Sequence, residues 1–473
     1  MQKKLIIIFL FFIYFVGSAQ TNVKVFFPGA ENKVAHIWSF TDYVSFNKKE
    51  LKEVPIDKNG KFHFKLHLNQ PKPIFIQVNF IRFQIYLEPN IDYEIQIDKV
   101  DFNDAELYPK EVIAYLQPEF KILKPKEHEL NKGIEETKKL YTSFVDSNYL
   151  KLIRGQGVVA LVDSFENVLN TFTNAYGNKY LSSFNAFQMA QLRLLSREYS
   201  RQMVVDMFFS GDKLDLNDPK AMEFFNSFWS NYLLTKGKGY QINQIDSAIN
   251  TKKSYQLLSS IIAKDPLLED SVLRELVIIR NLKQLYDRRG YSKSAIIDLL
   301  YDISRSKLRA EHQAIAVNVR KRLQSYDKGS KIPDYEFTDI KGDKFKFSDF
   351  EGMYIYVNVW NTECSECLAN MEYTKELYED FDDIIKFISI SVDANIEEMK
   401  SYAKGRDFQW TIAPLGENYD FLNTYNISFL PRYILIDKKG KIEDIDAPTP
   451  SNQFSDYFLK ILNDKKGNLR VNE

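Results

Sequence analysis

The hydrophobic rhythm of the chain changes twice. Between residues 22 and about 100 apolar positions recur at every second residue. In the stretch 61–68, Phe62, Phe64, Leu66 and Leu68 alternate with Lys61, His63, Lys65 and His67. A period of two belongs to a strand with one buried face. Just before it, Asp57-Lys58-Asn59-Gly60 supplies the residues of a tight hairpin turn. Further apolar runs at 74–78 and 83–87 complete the expectation of a small antiparallel β-domain over residues 20–100. His63 and His67 would sit about 13 Å apart along such a strand, too far to share one metal ion, so both are expected to face solvent.

From about residue 105 to 325 the apolar spacing lengthens to three and four. Val272, Leu276, Ile279, Leu282 and Leu285 mark one helix, expected to end at a Gly290 cap. Ser292 is placed to cap a second helix carrying Ile296, Ile297, Leu300 and Ile303, and a third is expected over 309–323. Residues 101–327 therefore read as an all-α region of antiparallel helices with short connections. Its aromatic cluster, Phe224, Phe225, Phe228 and Trp229, is expected in a core rather than along a peptide groove. No internal repeat and no identifiable chemistry stand out there. The segment 325–330, Ser-Tyr-Asp-Lys-Gly-Ser, is the candidate linker.

Beyond it, over 328–473, strands and helices interleave. A buried strand is expected at 354–359, a helix through Leu368, Met371 and Leu377, a buried strand over 384–393, and a crossover helix over 396–405. A loop with Pro431, two strands around a Lys-Gly turn and a closing helix over 451–462 follow. This order predicts an α/β domain with a central sheet covered by helices on both faces.

Both cysteines of the 473-residue chain, Cys364 and Cys367, fall at the turn between the strand 354–359 and its helix. Unsatisfied N–H groups at a helix start favour an anion and lower a thiol pKa. Cys364 is therefore expected to be the exposed nucleophile, with Cys367, one turn inward, attacking the mixed disulfide to release product. Such a pair is a two-electron redox switch. A static disulfide, or a degenerate domain that only binds, is the competing class. A zinc half-site lacks a second cysteine pair, and none of the five histidines (His36, His63, His67, His128 and His312) is near in sequence. A peroxidase would need a Pro and an Arg that are not evident around Thr362 and Cys364. No metal and no cofactor are expected.

Charge narrows the partners. With 63 basic and 64 acidic side chains the formal charge is −1, which gives no electrostatic reason to bind nucleic acid or an anionic membrane. The N-terminus alters the compartment: Lys3 and Lys4, a twelve-residue apolar run from Leu5 to Val16, then Gly17-Ser18-Ala19. These have the three parts of a signal peptide (residues 1–19), cleaved after Ala19. The run is shorter than the about 20 residues a spanning helix needs, and no later segment is long and apolar enough. An exported protein of the periplasm or cell envelope is expected, its partners being protein thiols and disulfides and an unidentified redox protein. At 44% apolar residues the chain has cores enough to fold without disulfide staples.

Residues 331–367, KIPDYEFTDIKGDKFKFSDFEGMYIYVNVWNTECSEC, followed by FLPRYILIDKKGKI (429–442), resemble the thioredoxin-like proteins of the TlpA/ResA type, exported bacterial thiol–disulfide oxidoreductases. The resemblance covers about 330–465. It implies a cis Leu430–Pro431 bond facing the cysteines, with Leu430, Pro431 and Trp360 forming the substrate-binding edge. The N-terminal β-region is similar to domains placed ahead of such modules in Gram-negative envelope proteins. The regions before the module are expected to dock a substrate, to mediate a homodimer, or to hold the module against another envelope component. The sequence departs from the family pattern at Glu363, where an aromatic residue is usual, at Glu366, often Pro, and at Asn370, commonly Glu; a Pro usual shortly afterwards is absent. Carboxylates at Glu363 and Glu366 oppose the helix-start effect and are expected to tune Cys364 toward a less acidic thiol and reductase or slow-exchange behaviour.

Overall fold

The computed structural model describes residues 19–102, 115–155, 157–211, 213–393, 395–425, 427–451 and 454–470. The apolar run and small residues of the expected signal peptide lie outside the described residues up to Ala19, where the first strand begins.

Eight strands open the fold: β1 (Ala19–Phe26), β2 (Val34–Phe40), β3 (Lys48–Pro55), β4 (Lys61–Leu68), β5 (Lys72–Val78), β6 (Ile81–Leu87), β7 (Tyr93–Ile97) and β8 (Phe120–Leu123). They form two four-stranded sheets, β4-β1-β7-β8 and β3-β2-β5-β6. Neighbours are antiparallel except β1 with β7. Strand β4 alternates exposed and buried residues without interruption, as its sequence demands, and leaves His63 and His67 in solvent. The inward faces of both sheets share one core that includes Val23, Ile37, Phe64, Ile76 and Ile95. The hairpin into β4 is held by Asp57, whose carboxylate accepts the N–H groups of Asn59 and Lys61 at 2.8 and 2.9 Å. Gly60 has φ +72°, and a Cβ there would approach the Phe27 carbonyl oxygen to 2.7 Å. Strand β8 extends the sheet past the point where helices were expected to begin, because Phe120-Lys-Ile-Leu pairs with the β7 edge.

Helices build the middle of the chain. Helix Ser271–Leu285 ends well before Gly290; the polar Asp-Arg-Arg-Gly stretch that follows forms a separate turn, with Gly290 at φ +97°. Ser292 caps helix Lys293–Ile303 through its hydroxyl and the Ala295 N–H, and a third helix runs over Ala310–Gln324. Phe224, Phe225, Phe228 and Trp229 are buried in the helical core. The stretch 325–330 is a connection but not a loose one. Gly329 N–H donates to the Ile442 carbonyl at 2.7 Å, Ile442 N–H donates to Ser330 at 2.8 Å, and Lys293 reaches Asp327 at 3.5 Å.

The C-terminal region has the thioredoxin-like α/β architecture. A short hairpin, β9 (Glu336–Thr338) and β10 (Lys344–Lys346), precedes a five-stranded sheet. Its strands are β11 (Tyr354–Trp360), β12 (Ile385–Ser391), β13 (Thr411–Pro414), β14 (Arg432–Ile436) and β15 (Ile442–Asp444), in the order β13-β12-β11-β14-β15. Strands β11, β12 and β13 are mutually parallel, and β14 runs antiparallel to β11. Central strand β11 is buried along its whole length. Ile355, Val357 and Val359 pack into one apolar layer, and Tyr354, Tyr356 and Trp360 into the other. Helices Ser365–Phe381, Ile396–Arg406, Tyr419–Thr424 and Phe454–Arg470 complete the region. The module rests against the elements before it: Lys48 pairs with Asp420 at 3.1 Å, and Arg322 donates to the Asn423 carbonyl at 3.1 Å. Among the described residues no helix is long and apolar enough to cross a membrane.

Candidate active site

The site is assembled where β11 ends. Trp360 closes the strand, residues 361–363 turn, and helix Ser365–Phe381 starts with Cys364 as its N-cap, in an extended conformation (φ −85°, ψ 97°). The Cys364 sulfur accepts the Cys367 N–H at 3.1 Å, and the Cys364 carbonyl accepts the Leu368 N–H at 3.0 Å. Sulfur thus stands where a serine or aspartate oxygen usually caps a helix, beside N–H groups that favour negative charge. Cys364 and Cys367 are joined as a disulfide, with Cα atoms 5.2 Å apart. Cys367 is fully buried whereas Cys364 is half-exposed. One sulfur is therefore open to attack and the other is not.

The turn is braced from β12. The Asp393 carboxylate accepts both the backbone N–H and the hydroxyl of Thr362, at 2.8 and 2.6 Å, through one oxygen. Its second oxygen accepts the Ser391 hydroxyl at 2.5 Å, and Val392 N–H donates to the Trp360 carbonyl at 2.9 Å. Asp393 is absent from the residues singled out by sequence. Its only signal was Ser-x-Asp at the end of a strand, and only the parallel pairing of β11 with β12 brings it under Thr362.

The other wall comes from β14. Val359 lies opposite Arg432 in the antiparallel register, so the turn leaving β11 and residues 429–431 entering β14 emerge side by side at one end of the sheet. The Leu430–Pro431 peptide is cis. Leu430 and Cys364 both border the apolar layer containing Trp360, Cys367 and Tyr433. Trp360, expected at the substrate edge, is fully buried and packs on Tyr402 with ring centroids 5.8 Å apart. A side chain with no exposed surface cannot touch a bound polypeptide, so Trp360 backs the turn from inside.

Glu363 and Glu366 are both exposed and flank Cys364. Asn370 is buried one turn further along; its amide donates to the Glu366 carbonyl at 3.0 Å and its oxygen accepts the Ser451 hydroxyl at 2.8 Å. The helix is thereby tied to the loop before the closing helix. Burial, and then the Glu366 charge, pushes the Tyr433 phenol well above its ordinary range, so it stays protonated. Among the described residues no cluster of side chains is arranged to hold a metal ion. A cleft of about 680 Å³ is lined by Glu88, Lys126, His128, Asn178 and neighbours, far along the chain from the cysteines.

A Redoxin family model matches residues 327–459. The thiol-disulfide oxidoreductase ResA of Bacillus thuringiensis is 30% identical over 135 residues, which are 28% of this chain and 78% of that protein. ResA of Geobacillus kaustophilus is 29% identical over 135 residues, 28% of this chain and 77% of its own. The thioredoxin domain of a thiol-disulfide oxidoreductase from Bacteroides vulgatus is 27% identical, covering 28% of this chain and 95% of the domain, with a TM-score of 0.26. With its paired cysteines at a strand-to-helix turn and this likeness to ResA, the chain belongs to the Redoxin family as a thiol-disulfide oxidoreductase of the TlpA/ResA type.

Proposed function

We propose that the protein is an exported enzyme that reduces or exchanges disulfides of cell-envelope proteins through Cys364 and Cys367. The observation that carries this reading is the asymmetry of the pair: a half-exposed sulfur at a helix start bonded to a fully buried one. The N-terminal sequence, with its basic start and apolar run, supports export, and a disulfide persists in such a compartment.

In the reduced protein the Cys364 thiolate attacks a substrate disulfide. One substrate sulfur becomes bonded to Cys364, and the other leaves as a thiolate and takes a proton. Cys367, deprotonated, then attacks the Cys364 sulfur. The intramolecular disulfide closes and the second substrate sulfur leaves as a thiol. Two electrons pass from the protein dithiol to the substrate, and an external dithiol donor returns them. Burial of Cys367 keeps it from foreign disulfides, while its place one helical turn from Cys364 favours closure over release. Leu430 and Pro431 offer the edge along which a substrate backbone lies. Trp360 supports the turn behind it, and Glu363 and Glu366 raise the cost of the Cys364 thiolate.

Insulin reduction with dithiothreitol as electron donor tests the assignment. Cys364→Ser is expected to lose catalysis, and Cys367→Ser to accumulate a mixed disulfide at Cys364. Equal rates for wild type and Cys364→Ser would leave a redox-inactive scaffold as the surviving reading.

A further inference from the structure

The surface around Cys364 is chemically lopsided. From Asn361 to Ala369 the chain carries two carboxylates, Glu363 and Glu366, and no cation. Both are exposed, and neither carboxylate makes a hydrogen bond or ion pair with another described residue. Beside the cysteine turn stands Phe429, 58% exposed, one residue before the cis Leu430–Pro431 pair. It is more exposed than the Tyr149 and Tyr373 rings, at 53% and 50%, and its register places it beside the redox turn. The ring is also held in place. The Arg432 guanidinium lies 5.4 Å from its centroid, and that guanidinium is fixed by Asp446 at 2.7 Å. Arg432 is largely buried and its charge is matched by Asp446, so it does not neutralise the acidic rim.

Resting on the oxidoreductase reading above, we propose that Glu363, Glu366 and Phe429 select the substrate. The preferred occupant is a polypeptide whose cysteine is flanked by a basic side chain on one side and an apolar one on the other. The register of β11 against β14 supports a single binding mode. It sets the 361–364 turn beside 429–431, adjacent strands lie about 4.8 Å apart, and an extended segment laid over both loops can meet the carboxylates and the ring at once. A pre-held aromatic contributes apolar contact at small entropic cost. The carboxylates supply complementarity that steers encounter and discriminates against acidic segments. Thus the same two residues that disfavour a thiolate in the free protein receive a compensating positive charge when such a substrate binds.

The test uses the reduced full chain and cysteine peptides carrying a chromogenic thiol in mixed disulfide, with basic, neutral or acidic flanks and with Leu or Gly beside the cysteine. Wild type is expected to favour basic over acidic flanks in kcat/KM by about tenfold at low ionic strength. The ratio should shrink at about 1 M salt, where the screening length falls to about 3 Å. Glu363→Lys with Glu366→Lys should invert the ratio, and Phe429→Ser should erase the preference for Leu over Gly. Flank ratios within twofold of unity, or unmoved by charge reversal, overturn this selectivity while the oxidoreductase reading stands. No turnover of any peptide or of a small disulfide overturns that reading, and this inference with it.

Discussion

Asp393 offers the most direct check on how the turn is held. Its carboxylate is half-buried and accepts two bonds from Thr362, at 2.8 and 2.6 Å. Hydrogen bonds to a charged acceptor are worth about 1.5–3 kcal/mol each. Because water can reach this partly exposed site, the lower value applies, and the pair contributes about 3 kcal/mol. Asp393→Ala removes the acceptor. At 1.4 kcal/mol per factor of ten, opening of the 361–364 turn should become about a hundredfold more frequent. Native-state hydrogen exchange reads this at one amide, since the Thr362 N–H is itself the donor. Its protection should fall about a hundredfold in Asp393→Ala, while amides in the core of β12 stay within a factor of about three. Asp393→Asn keeps an oxygen for Thr362 and should restore most of the protection. Reduction of the Cys364–Cys367 bond by dithiothreitol should quicken in Asp393→Ala and return toward wild type in Asp393→Asn, a graded response that mere loss of fold would not produce. If Thr362 exchanges at the same rate in wild type and Asp393→Ala, the carboxylate does not hold the turn and the bracing argument is wrong.

Two further outcomes follow from the charges. Neutralising Glu363 or Glu366 as Gln should raise the thiolate fraction of reduced Cys364 by up to about fivefold per residue, since a unit charge at about 4 Å is worth about 1 kcal/mol in water. Iodoacetamide alkylation followed against pH measures this, and an unshifted profile in the double variant would refute it. In the N-terminal region, the Glu50 carboxylate hydrogen-bonded to His36 raises the imidazole pKa, against an opposing effect of burial. The imidazolium pair at 3.5 Å therefore contributes stability that is complete below the ordinary value of 6.5 and is lost as pH rises through the raised one. His36→Gln should be destabilising at pH about 5.5 and nearly neutral at pH about 9, as urea unfolding at the two pH values will show.

Much of the molecule was legible because local periodicity and global packing agree. Strand β4 alternates in sequence and in burial alike. Ser292 caps the helix it was positioned to cap. Cys364 sits at the helix start that the Tyr354–Val359 run implied. Where local signals are short or shared, they misplace boundaries. Gly290 looked like a helix cap but occupies a later turn. The four-residue strands β8 and β13 carry too few residues to show a period, and each exists because an open sheet edge pairs with it.

By itself the amino-acid order determined that two cysteines stand one helical turn apart at the end of a buried strand, because that depends only on residues adjacent in the chain. It could not determine what faces them. Asp393 beneath Thr362, Phe429 and Leu430–Pro431 beside the cysteine turn, and Ser451 on Asn370 come from segments 31, 65–67 and 81 residues away from their counterparts. The β11–β12 and β11–β14 registers bring the first two to the turn, and the chain beyond β15 brings Ser451 to Asn370. Trp360 shows the same division. The family resemblance implied contact with substrate, yet the side chain points into the layer beneath helix Ser365–Phe381. The face on which a strand's last residue falls is decided by the pleat and by what packs against it, and these are properties of the assembled sheet.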